Sequence, residues 1–126
     1  MSDQGFASTI MLALLALAGL LCLATADAAN VLLSRTRAQT AADAAALAAV
    51  AVQLESGAGS PEEAAKRTSE ANGAVLEGCE CPAHGGLAKV TVSIATRVRM
   101  LGVAPSRVER TAEASLDLGR VFERPR

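Results

Sequence analysis

The run Phe6–Ala26 holds 21 residues without a charged side chain (FASTIMLALLALAGLLCLATA). No other feature restricts this chain as much. As a helix it would reach roughly 30 Å, the thickness of a bilayer's hydrocarbon layer. Backbone groups in lipid must pair within their own segment, so a single span of this kind must be helical. Leu, Ile, Met and Ala all suit a helix, and Ser8 and Thr9 can bond back to it. Gly19 is the one weak point, costing about 1 kcal/mol against Ala. The helix pattern continues past the run. From Asp27 to Glu55 there is neither Gly nor Pro, and Ser56-Gly57 offers a stop. The pattern predicts one helix from about Gln4 to Glu55, several times the usual length of about 11–12 residues.

An apolar N-terminal run also fits a cleaved secretory signal. Ala24-Thr25-Ala26 and Ala26-Asp27-Ala28 both have the small-x-small form of a cleavage site. Against this, Met1–Gly5 carries no Lys or Arg, and the run is longer than a signal core. Cys22 follows Leu21 rather than a small residue, which disfavours a lipoprotein signal. An uncleaved anchor is the favoured reading, and it places Cys22 as a small hydrophobe in the lipid-spanning part. Arg35 and Arg37, the basic residues nearest the run, would by themselves put the following side in the cytoplasm.

Charge and composition exclude several functions. Net charge is −1 over 126 residues, which gives no general attraction to nucleic acid. Trp and Tyr are missing and the two Phe are Phe6 and Phe122, so a base-stacking surface cannot be built. Alanine supplies 28 positions, too little volume for a large core. Residues 1–56 carry only Asp3, Asp27, Arg35, Arg37, Asp43 and Glu55, and the rest of the charge lies beyond them. The chain thus divides into 1–56, a membrane and extended helix, and 57–126, a small α+β domain.

In that second part Ser60 can cap a helix, Pro61 suits its first turn, and Glu63 completes a capping box. The helix should run to about Asn72 and stop at Gly73. Lys89–Met100 and Arg107–Leu118 then alternate with a period of two, as half-buried strands do. Arg110 interrupts the apolar face of the second. Leu101–Ser106 would be the hairpin loop, and Ala74–Glu80 a shorter third strand. The fold class expected is an α+β membrane protein: a long transmembrane helix extending beyond the bilayer, a short helix, and a small antiparallel sheet of two to three strands. The alanines Ala41, Ala45, Ala49, Ala42 and Ala46 recur at four-residue spacing and allow close backbone approach. They can serve packing on the chain's own sheet or on neighbouring subunits; the second use is favoured, and both can hold on different faces.

Little chemistry is on offer. Cys79-Glu80-Cys81 with His84 falls short of a zinc set unless a carboxylate joins it. A redox motif would need two intervening residues and a helix start. Cys79 and Cys81 can form a disulfide, within the pair or between chains, or simply occupy a turn. His84 lies in the loop Pro82–Gly86 with no assignable Ser or carboxylate partner, and Gly85-Gly86 lacks the Walker spacing. Arg97, Arg99 and Arg107 are expected on a solvent face, balanced across the hairpin by Glu109 and Glu113. No catalytic residue, cofactor or metal is expected, which leaves a redox or metal enzyme as the weakest class. A secreted binding module with its first 26 or so residues removed is the alternative to a membrane-anchored structural protein.

Gly5-Phe6 ahead of a long apolar helix resembles a prepilin-type junction. The stretch from Arg35 to Ala49 (RTRAQTAADAAALAA) resembles the segment after the span in TadE/TadG-like proteins of the tight-adherence, or Flp-type, pilus system, most closely the actinobacterial group encoded near helicase and secretion genes. The resemblance covers residues 5–52. It implies a minor pseudopilin in the cell membrane, single-pass, with the C-terminal domain extracytoplasmic, against the vote of Arg35 and Arg37. Its implied partners are the lipid bilayer, other pilin-like subunits, an assembly platform and its ATPase. Cleavage between Gly5 and Phe6 is implied as well. Ile10 stands where pilins usually carry Glu, so the usual salt bridge to a neighbour's new amino terminus has no counterpart here.

Overall fold

The computed structural model describes residues 3–55, 59–96 and 107–116. The helix stop at Ser56-Gly57, the loop Leu101–Ser106, the far ends of the two long strands, Arg97, Arg99 and Phe122 lie outside the described residues. The chain runs α1 (Asp3–Leu54), α2 (Pro61–Ala71), β1 (Val75–Glu80), β2 (Leu87–Ala95) and β3 (Arg107–Ser115). The three strands form one antiparallel sheet with β2 in the centre. The expected class, with the long helix, short helix and small sheet, is what the structure has.

α1 is continuous over 52 residues. Its threonine hydroxyls are satisfied within the helix: Thr9 Oγ1 donates to the Phe6 carbonyl at 2.9 Å, and Thr25 Oγ1 to that of Cys22 at 2.9 Å. Such back-bonding lets a hydroxyl sit in an apolar stretch without an unpaired group. Gly19 meets no atom outside its helix, so nothing among the described residues requires its missing side chain.

α2 starts as its sequence dictates. Ser60 is extended (φ −91°, ψ 140°) and its Oγ accepts from the Glu63 amide at 3.1 Å, with Pro61 next and two glutamates in the first turn. At the other end Gly73 is left-handed (φ +71°), and the Ala74 amide donates to the Ser69 carbonyl at 2.9 Å. These two groups set the two ends of α2. Ser60→Ala is expected to cost about 1 kcal/mol of stability, within the usual 0.5–2 for a lost cap, as read by denaturant unfolding.

The core lies where the upper half of α1 meets α2 and one face of the sheet. Ala38, Ala41, Ala42, Ala45, Ala46, Ala49 and Val50 come from α1, Ala65 from α2, and Ala88, Val90, Val92, Val108 and Ala112 from the strands; all are buried. Alanine at nearly every helix contact lets the sheet approach the helix backbone, so a few valines suffice to fill the space between. A bulge at Glu77 shifts the register of β1 between Leu76 and Gly78. It brings Leu76, Cys79 and Cys81 to the core side, where plain alternation would have placed Gly78.

Gln53 closes the upper end. Its Nε2 donates to the Leu87 carbonyl at 3.0 Å and its Oε1 accepts from the Gly86 amide at 2.8 Å. Gly86 has φ +67°, and its carbonyl accepts from the Leu116 amide at 2.7 Å. A Cβ there would lie 3.2 Å from that of Leu116. The turn before β2 is thus tied to the helix by one side chain and to the end of β3 by one backbone bond.

Candidate functional site: the surfaces of the long helix

α1 has two sides with different fates. Ala41, Ala42, Ala45, Ala46 and Ala49 are completely or almost completely buried, against α2 and the sheet of the same chain. Of the two uses open to them, packing within the chain is the one the structure displays. A neighbouring subunit would have to meet other residues. Below them the segment from Phe6 to Ala26 is uncovered by any other element among the described residues: Leu12, Leu15, Leu20 and Leu21 are all well exposed. Its length and composition suffice to cross a membrane. Exposed leucines continue above it, with Leu32, Leu33, Leu47 and Leu54 all outside the core.

Gly5 and Phe6 lie within the first turns of α1, Phe6 exposed. Asp27, the first charge after the apolar run, has Oδ2 turned away from solvent without a hydrogen-bond partner among the described residues.

Cys79 and Cys81 are joined as a disulfide, and Cys22 on α1 is free and exposed. With both sulfurs bonded to each other, neither is a thiolate ligand. His84 lines a shallow cleft of about 370 Å³ with Gln53, Glu55, Ser60, Pro61 and Ala83, a cleft that neither cysteine borders. Among the described residues no three His, Cys, Asp or Glu side chains gather as a metal site would require.

The arginine expected to balance the hairpin acts elsewhere. Arg107 Nη1 contacts Glu77 Oε1 on β1 at 3.2 Å, rather than Glu109 or Glu113, and Ser93 Oγ donates to the same oxygen. Glu77 thus reaches over β2 from β1 and meets both Ser93 and Arg107. Lys89 pairs with Glu80 at 3.8 Å, and Thr91 meets Thr111 at 2.9 Å. The outer face is a solvated polar ladder with both charge signs, and the ion pairs on it contribute little each. Sequence reasoning missed the Gln53 clamp and Glu77; a glutamine near a helix end and a Glu two residues before a strand cysteine give no local signal of either role.

The architecture is that of a membrane-length helix whose upper half doubles as the core of a small α+β head. The family model for Flp pilus-assembly TadE/G-like proteins matches residues 5–53, almost the whole of α1 and well under half of the chain. Residues 5–53 are thus similar to TadE/G-like proteins, a family described as Flp pilus-assembly. No curated protein and no solved structure matches it. The family and the apolar helix together suggest membrane anchoring.

Proposed function

We propose that the chain is a non-catalytic, single-pass subunit of a Tad/Flp-type pilus or a related secretion assembly, a minor pseudopilin that works by helix packing. The observation that carries this reading is the coincidence of the family match, residues 5–53, with one uninterrupted helix, Asp3–Leu54. A membrane-stored helix can be reburied against similar helices at little net cost, since tight packing rather than hydrophobic expulsion drives association in lipid. The head stands outside the cytoplasm in this reading. The Cys79–Cys81 disulfide supports that side, because such bonds persist in oxidising compartments and are rare in the cytosol. Partners are other pilin-like subunits, an assembly platform and its ATPase. Processing between Gly5 and Phe6 belongs to the same proposal.

The test is the intact mass of the chain extracted from membranes, with co-purification of Tad-type assembly proteins. The expected chain begins at Met1 or Phe6, stays with the membrane fraction and brings those proteins with it. After reduction, Cys79 and Cys81 should react in whole cells with a maleimide that cannot cross the inner membrane. A soluble chain beginning near Asp27 or Ala29 would replace the anchor with a secreted module.

A further inference from the structure

The first basic side chains beyond the apolar run are Arg35 and Arg37. Both are exposed, and neither is in an ion pair among the described residues. No acid lies within a helical turn of either along α1. Just below them Leu32 and Leu33 are 61% and 48% exposed, outside the cover of the head. Being two positions apart, the two arginines project to opposite flanks of the helix.

A third guanidinium comes from the sheet. Gln53 ties the start of β2 to the upper end of α1 through the Leu87 carbonyl at 3.0 Å. From there β2 spans about 26 Å to Ala95, and α1 spans about 27 Å from Gln53 back to Arg35. Arg107 pairs with Ala95 in the sheet, which sets it about level with Arg35. Ala38, just above Arg35, is fully buried, so the cover of the head extends down to this level. Arg107 holds Glu77 through Nη1, yet its side chain stays 61% exposed.

Height above the bilayer decides what these groups meet, a step that rests on the membrane anchoring proposed above. Arg35 lies roughly 14 Å beyond Ala26 along the helix axis. The headgroup layer takes up about 5–8 Å of that distance. Side chains on a helix lean toward its N-terminus, here toward the membrane. Leu32 and Leu33 therefore lean into the headgroup layer, and the long stems of Arg35 and Arg37 carry their charge back to its outer rim. Phosphate oxygens stand there, and a guanidinium fits them with two parallel hydrogen bonds.

We infer that Arg35 and Arg37, with Arg107 beside them, form a basic collar that binds the phosphates of anionic phospholipids under the head. The collar gives the two helix arginines a use on the side of the membrane where positive charge is otherwise disfavoured.

The full chain in phosphatidylcholine vesicles, probed with trace spin-labelled phosphatidylglycerol or phosphatidylcholine, tests this. The fraction of each label immobilised at the protein is expected to show a preference for phosphatidylglycerol of about fivefold or more. Arg35→Gln with Arg37→Gln should abolish most of that preference, and Arg35→Lys with Arg37→Lys should keep most of it. Should the glutamine variant fold poorly, the wild-type chain decides: its preference should fall severalfold as salt is raised from about 0.05 to 0.5 M. An undiminished preference in the folded glutamine variant, or one indifferent to salt, would overturn the collar. Displacement of the label by inorganic phosphate, but not by chloride of equal ionic strength, would make the ligand a free anion and overturn the lipid. No preference in the wild type, with Tad-type proteins still co-purifying from membranes, would overturn the collar while leaving the proposed function standing.

Discussion

A fragment starting at residue 57 is expected to be unfolded in solution, whereas one starting near residue 30 folds. The reason is in the core. Without α1, the inner face of the sheet presents Val90, Val92, Val108 and Ala112 to water, and α2 can cover only part of it with Ala65. Three strands and one 11-residue helix are close to the lower limit for independent stability. The longer fragment restores seven buried residues from Ala38 to Val50 and the Gln53 bonds to Gly86 and Leu87. Amide proton NMR distinguishes the outcomes: collapsed shifts for the short fragment, dispersed strand shifts for the long one. A well-dispersed spectrum from residues 57–126 alone would show that the head does not depend on the helix, and the packing described for α1 would lose its energetic meaning.

Ala45→Leu is expected to be the most damaging conservative change in the helix. Ala45 has no exposed surface and sits in the helix–sheet contact. Three added carbons have no space there without pushing the sheet away from α1. Overpacking of this kind costs about 1–3 kcal/mol, occasionally more. In a domain this small each kcal/mol lowers the melting temperature by about 4–8 °C. Ala51→Leu, six residues on and exposed, should leave the melting temperature within about 2 °C, as surface changes do. Equal effects from the two variants would contradict the assignment of a covered and an uncovered side. Because the alanine face holds the head, loss of co-purification in Ala45→Leu would reflect a displaced head rather than a direct contact with a partner.

Much of this arrangement can be read from the residues alone. The uncharged run and the absence of Gly and Pro up to Glu55 require a long helix, because nothing in them favours a break. Ser60, Pro61, Glu63 and Gly73 define α2 through caps, which act within one turn. The alternation around Val90 and Val92 marks a strand for the same local reason. What stayed hidden depends on distant partners. Whether Ala41, Ala45 and Ala49 meet the chain's own sheet or a neighbour is not encoded in their spacing; it follows from the sheet curling back over them. The bulge at Glu77 has no sequence mark, and neither does the reach of Arg107 to β1 instead of across the hairpin. Gln53 reaches across 33 residues to Gly86, a separation no local pattern reports.

The absence of a linker between span and head has a mechanical consequence. The rod that would sit in the membrane is itself one wall of the folded head, locked above by Gln53. Axial thrust or torque applied at the base is delivered to the sheet without slack, as by a piston and its crown. A subunit so built converts displacement at the membrane directly into displacement of its outer surface.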